Sequence, residues 1–196
     1  FKKNFKKINC NIKNLDKIEN KIIKFKPEII IHLASQPIVN EGFKNPLSTY
    51  ETNIIGTIKI LELSRKISTL KKILVFTSDK VYLNNDKKIL TEDSKLGGLD
   101  PYSASKSSQD LISQSYNFSF LNKKKIIILR SGNIIGGGDW ANNRIVPDIV
   151  RSYLYNKTLK IRSINSTRPW VHIFDVLNAI LLLLTKTNFK KNQNLI

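Results

Sequence analysis

Three short apolar runs of one form recur along the chain: EIIIHLASQ at 28–36, KILVFTSDK at 72–80 and KIIILRSGN at 125–133. Each is continuous rather than alternating, which suits a strand buried on both faces of a parallel sheet. Each also ends in polar residues. In an open α/β sheet the carboxyl ends of the strands border the ligand crevice, so the polar endings point to one shared site. The segments between the runs read as helices. From Pro46 to Ile67, apolar residues fall at Leu47, Tyr50, Ile54, Ile58 and Leu61, a helical spacing with one covered face. Asp100-Pro101 opens a second helix that continues to about Phe120, with Pro101 suited to a first turn. Another helix, near Leu15 to Phe25, precedes the first run. This order predicts an α/β fold, a Rossmann-like doubly wound parallel sheet.

After Arg130 the character changes. SGNIIGGGDWANN, rich in glycine and asparagine, reads as a loop. A helix from about Pro147 to Tyr155 follows, then a short strand LKIRS, then RPWVHIFD leading into a final apolar helix. The expected division is a partial Rossmann domain at 1–133 and a small, partial C-terminal substrate-binding lobe at 134–196. There are no internal repeats.

Composition narrows the class. At 41% hydrophobic the chain is expected to be globular, and a single cysteine, Cys10, excludes an internal disulfide. A reducing, cytoplasmic setting is the default reading. The longest apolar run, AILLLL, is far too short to span a bilayer, so no membrane association is expected. A net charge of +18 invites a nucleic-acid reading, but much of the excess lies in the first 26 residues and no nucleic-acid-binding motif accompanies it. Solvated lysines explain it better, and a non-catalytic basic binding module is the rival class. The chain opens on Phe and contains no Met, which points to a fragment.

Two residues carry a chemical signal of their own. PYSASK places Tyr102 and Lys106 four apart, on one helix face. A nearby ammonium favours phenolate, lowering the tyrosine pKa toward use as a base. The pair follows a strand that ends Ser78-Asp79-Lys80.

HLASQP, TSDKVY, PYSASK, RSGNIIGGGDW and RPWVHI follow in order in a way that resembles the extended short-chain dehydrogenases acting on nucleotide sugars. The resemblance runs from about Lys26 to Leu184. It implies a Rossmann domain, bound NAD, no metal, a nucleotide-sugar substrate and, in the full-length protein, a homodimer formed through the Tyr-x-x-x-Lys helix. It further implies C4 oxidation, loss of water across C5–C6 and hydride return to C6, feeding deoxysugar synthesis for surface polysaccharide. Tyr102 would take the proton of the sugar 4-hydroxyl, Lys106 would depress its pKa and bond the nicotinamide ribose, and Ser78 would hold the 4-oxygen. Asp79 would be the acid for the departing 6-hydroxyl. Lys80, where related dTDP-glucose enzymes carry Glu, marks a branch acting on CDP-glucose. It would serve as the C5 base or as an electrostatic stabiliser of the enolate. Another 4,6-dehydratase or a 4-epimerase is the alternative within the enzyme class.

By the same resemblance His32, Ala34 and Gln36 would line the cofactor, although a histidine after three isoleucines is equally a core residue. Asn53 would be a structural asparagine beside the cofactor. Asn133, Arg144, Arg168, Trp170 and His172 would hold the substrate, the arginines through bidentate bonds to phosphate. One departure stands out: the glycine-rich turn of a Rossmann cofactor site is missing from the sequence. That turn and the first strands are expected before Phe1, so the isolated fragment is expected to be inactive.

Overall fold

Strands β1 (Ile29–His32), β2 (Lys72–Phe76) and β3 (Lys125–Leu129) pair in parallel, in the order β1-β2-β3, to form the central sheet. A computed structural model describes residues 5–83, 89–161 and 164–185 of the chain. Ile30 lies opposite Ile73 across the first ladder, and Ile73 opposite Ile126 across the second. Alternate side chains of a strand face opposite ways. Ile73 and Val75 of β2, with Ile126 and Ile128 of β3, therefore join Leu61, Leu63 and Ile67 in one core layer. Leu74, Ile127 and Leu129 meet Val176, Ile180 and Leu183 on the other face. That is why β2 and β3 read as unbroken apolar runs. Fully burying each such side chain contributes about 1.5–3 kcal/mol.

Among the described residues only one face of β1 is covered. Ile29 and Ile31 are 42% and 44% exposed, whereas His32, pointing the other way, is buried. Among the described residues β1 is an edge strand with one face uncovered.

The chain enters through a 3-10 segment, Ile12–Ile18, and helix α1 (Glu19–Phe25). β1 leads to the short α2 (Val39–Lys44) and then to a long helical run. That run comprises α3 (Pro46–Tyr50), a wide π-helical turn (Glu51–Ile55) and α4 (Gly56–Lys66), joined without leaving helical backbone geometry. Wide turns of this type are frequent at functional sites. Here the turn carries the fully buried Asn53. Part of the lysine excess is paired in this region, Lys13 with Glu51, Lys59 with Asp16 and Lys66 with Glu19. Exposed pairs of this type contribute little, about 0.2–1 kcal/mol each.

α5 (Pro101–Ser119) follows β2. Its start is set by Asp100, whose carboxylate accepts from the Ser103 backbone N–H at 3.0 Å, with Pro101 in the first turn.

The region after Arg130 is more ordered than its glycine content suggests. β3 ends at Leu129, and Asn133, expected to end it, instead opens β4 (Asn133–Ile135). β4 pairs in parallel with β5 (Trp170–His172), a strand formed by part of RPWVHI. The strand expected at LKIRS is not formed over 159–161, and 162–163 lie outside the described residues. The link into β4 needs Gly132, because a Cβ there would stand 2.4 Å from the Pro169 carbonyl oxygen. α6 (Ile145–Leu154) and α7 (Ile173–Thr185) complete the described elements. α7 supplies the side chains that cover the second face of β2 and β3. Among the described residues no helix is long and apolar enough to cross a membrane.

Candidate active site

The polar ending of β2 is shaped by local hydrogen bonds. Beyond Phe76 the strand stays beside β3: Thr77 N–H donates to the Leu129 carbonyl at 2.8 Å and Asp79 N–H to the Ser131 carbonyl at 2.9 Å. The chain then folds into a 3-10 turn, Asp79–Val81. Ser78 caps this turn, its hydroxyl oxygen accepting from Lys80 N–H at 3.2 Å while its own proton goes to the Asp79 carboxylate at 2.9 Å. Val81 is fully buried and anchors the turn from below. Ser78, Asp79 and Lys80 are thus held at the carboxyl edge of the sheet.

Tyr102, in the first turn of α5, comes to the same place. It is 8% exposed, and its phenol lies close enough to the Ser78 hydroxyl to feel it. The charges of Asp79 and Arg144 also act on it. Lys106, one turn along the same face, is 3% exposed. Its ammonium donates to the Phe76 carbonyl at 3.3 Å and to the Gln109 side-chain oxygen at 3.0 Å. An exposed helical pair is therefore excluded for Tyr102 and Lys106. The lowered phenol expected from their spacing is not found. Burial pushes Tyr102 up, and the neighbouring Ser78 hydroxyl opposes this only in part. Burial also pulls Lys106 down to about 8, which weakens the positive charge that a phenolate would need.

The end of β1 separates the expected cofactor contacts. His32 is a satisfied core histidine: Nε2 meets the Thr57 hydroxyl at 3.0 Å, and burial, with the Lys106 charge, lowers its pKa to about 4. Ala34 is exposed. The Gln36 side chain is engaged within the protein, donating to Thr49 Oγ1 at 2.8 Å and accepting from Ile38 N–H at 2.5 Å. Asn53 ties this loop to α5. Its oxygen accepts from Gln36 N–H at 2.7 Å and Ser35 Oγ at 3.1 Å, while its amide donates to Ser105 Oγ at 2.8 Å.

Asn133, Trp170 and His172 are brought together by the β4–β5 ladder, which sets Asn133 opposite Trp170 and Ile135 opposite His172. Arg168 lies just before β5, exposed, with Nη1 donating to the Thr167 carbonyl at 2.6 Å. Trp170 is 47% exposed, and His172 Nδ1 accepts from Phe174 N–H at 3.3 Å. Arg144, preceding α6, donates to Asp139 at 2.9 Å.

The sequence reading missed the polar underside of the site. On α5, Ser105, Ser107, Gln109, Asp110 and Ser113 are all buried, although a run of serines reads as a solvated face. Arg130 Nε and Nη2 form a two-pronged bond with the Asp110 carboxylate at 2.8 and 3.0 Å. The same guanidinium donates to the Glu92 carbonyl at 2.8 Å and lies over the Tyr82 ring. It thereby ties α5 to β3 and to the segment after Lys80. The only signal in the sequence was a charged residue directly after a buried strand.

A parallel sheet whose polar strand ends meet a buried, helix-borne tyrosine and lysine defines the class of Rossmann-like nucleotide-cofactor enzymes. The chain belongs to the NAD dependent epimerase/dehydratase family, whose model matches residues 2–195. It is 38% identical to a CDP-glucose 4,6-dehydratase of Salmonella typhimurium over 180 residues, 88% of this chain and 50% of that protein. It is 33% identical to a dTDP-D-glucose 4,6-dehydratase of Dictyostelium discoideum, over 93% of this chain and 44% of the other. Among solved structures, a dTDP-glucose 4,6-dehydratase of Bacillus anthracis in complex with NAD is similar with a TM-score of 0.78 and 27% identity. That match covers 92% of this chain and 55% of the other. The chain thus spans about half the length of the curated relatives it matches.

Proposed function

We propose that the full-length gene product containing this chain is an NAD-dependent nucleotide-sugar 4,6-dehydratase whose substrate is CDP-glucose and whose product is CDP-4-keto-6-deoxyglucose. The observation that carries this reading is the capped Ser78-Asp79-Lys80 turn set against the buried Tyr102. An epimerase needs only the tyrosine, lysine and hydroxyl, whereas elimination of water needs a further acid and base. The similarity to the Salmonella enzyme supports CDP-glucose as the substrate.

The residues present fit the cofactor. Beyond its bonds to Phe76 and Gln109, Lys106 has a third ammonium proton, suited to a ribose hydroxyl. Ala34 is exposed and offers only a methyl group, so a ligand can approach the end of β1 closely. When bound, the cofactor would supply the hydride acceptor for C4 and a positively charged ring as NAD+, and the hydride donor for C6 as NADH. Positive charge at that place opposes the rise that burial imposes on Tyr102.

Ser78 positions the 4-oxygen by a hydrogen bond, and Tyr102 Oη takes its proton. A C4 ketone acidifies the C5 proton because the carbanion delocalises as an enolate. Lys80 then acts at C5, as the base if neutral or as the charge that stabilises the enolate. Asp79 delivers a proton to the departing 6-oxygen. Asn133, Arg144, Arg168, Trp170 and His172 hold the nucleotide and its pyrophosphate. The enzyme works as a cytoplasmic homodimer through the helix bearing Tyr102, where Leu111 and Phe118 of α5 are 53% and 86% exposed.

The test is incubation of the full-length gene product with NAD and CDP-glucose, followed by identification of the product. The 4-keto-6-deoxy sugar is expected, and Asp79→Asn should slow water elimination more than the initial oxidation. Recovery of a C4 epimer alone would overturn the dehydratase reading.

A further inference from the structure

Lys106 sits at the end of a buried polar chain that reaches across the sheet to β1. Gln109, one turn further along α5, offers its side-chain oxygen to the ammonium at 3.0 Å. The Gln109 amide nitrogen donates to Thr57 Oγ1 at 2.8 Å. Thr57 Oγ1 is 2.6 Å from the Asn53 carbonyl and 3.0 Å from His32 Nε2. Gln109 and Thr57 are 0% exposed and His32 2%.

Counting protons fixes the direction of every bond. A threonine hydroxyl has one proton and two lone pairs. The Asn53 carbonyl can only accept, so it takes that proton. The Gln109 amide nitrogen can only donate, so it uses one lone pair. His32 Nε2 must then carry a proton and use the other. Thr57 Oγ1 is saturated, with nothing left to give. Turning the Gln109 amide over would set its NH2 against the ammonium and its oxygen against a hydroxyl that has no proton to offer. Both bonds would be lost at a buried site, where an unpaired polar group is costly. The amide is therefore locked in one orientation. Its carbonyl and that of Phe76, the last residue of β2, seat the ammonium beside the strand that leads into Ser78.

We propose that Gln109 is a positioning residue for Lys106, and that Thr57 and His32 lock the Gln109 amide so that its oxygen faces the ammonium. This inference rests on the reading of Tyr102 and Lys106 as catalytic residues. Removing the acceptor lets the lysine move without disturbing the substrate pocket, so turnover falls while apparent substrate affinity is kept. Misplacement of a reacting group by about 1 Å costs on the order of 100-fold in rate.

The experiment measures kcat and KM for NAD-linked turnover of CDP-glucose by the full-length gene product, with folded protein quantified by unfolding midpoint. Gln109→Leu should lower kcat about 10- to 100-fold with KM changed less than about threefold. Gln109→Glu, which keeps an acceptor oxygen for the ammonium and gives up the donor to Thr57, should recover part of the loss. Thr57→Val, which unlocks the amide at nearly constant volume, should fall between them. A kcat within about twofold of wild type for Gln109→Leu would overturn the inference. So would equal losses in Gln109→Leu and Gln109→Glu, or losses that track the folded fraction. If Gln109→Leu does not fold, Thr57→Val decides by the same criteria. Tyr102→Phe and Lys106→Ala separate the two levels. If either turns over normally, the catalytic reading falls and the inference with it. If both are inactive and Gln109→Leu is normal, the inference alone falls.

Discussion

Lowering the pH from 7 to 5 should weaken the fold by about 2 kcal/mol through His32 alone. Its ordinary pKa of 6.5 falls to about 4 in the folded protein, because burial penalises the imidazolium and the Lys106 charge adds to the penalty. The folded-state value lies below the unfolded one, so between them the unfolded chain binds more protons. Stability from neutral His32 is therefore fully present above pH 6.5, falls as pH drops from there to about 4, and loses no more below that. A pKa gap of this size corresponds to a total on the order of 3 kcal/mol, of which about 2 is lost by pH 5. The assay is urea unfolding at pH 7 and pH 5 for the full-length wild type and His32→Gln, whose amide retains a donor for Thr57. Carboxylate effects are common to both proteins and cancel in the difference. The variant should show a pH loss smaller by about 2 kcal/mol. Equal losses in the two proteins would refute the placement of a neutral, buried imidazole beside Thr57 and Lys106.

Two further substitutions probe the frame around the site. Arg130→Leu leaves the fully buried Asp110 carboxylate without its partner and should cost about 3–5 kcal/mol in denaturant unfolding, with Arg130→Leu/Asp110→Leu recovering a large part. Gly132→Ala places a methyl group 2.4 Å from the Pro169 oxygen. It should destabilise the protein by about 1–3 kcal/mol by the same measurement and disturb the β4–β5 ladder that carries Asn133 and Trp170.

Much of the fold was legible because β2 and β3 are covered on both faces, and continuous apolar runs are the direct trace of that environment. β1 carries the same run, and among the described residues one of its faces is open, because coverage of a strand is set by segments distant in sequence. The long helix before β2 was legible from its spacing, whereas the wide turn at Glu51–Ile55 was not, since helical periodicity hardly changes across one turn. β4 and β5 were misplaced for another reason. Each spans only three residues, and they pair across more than thirty positions of chain, so no local pattern announces them.

The sequence by itself determined which groups could meet. The spacing of Tyr102 and Lys106 puts them on one face of α5, and the polar ends of the apolar runs place Ser78-Asp79-Lys80 and Asn133 near the sheet's carboxyl edge. Only the tertiary structure decided their surroundings. Burial raises the Tyr102 phenol and lowers Lys106, and it turns a serine-rich helix face into the packed underside of the site. It also makes His32 a donor to Thr57 and sets the direction of the Gln109 amide. The physical reason is that desolvation and hydrogen-bond polarity depend on every group enclosing an atom. Those groups come from β1, α4, β2 and α5, segments far apart in sequence that only the folded sheet brings together.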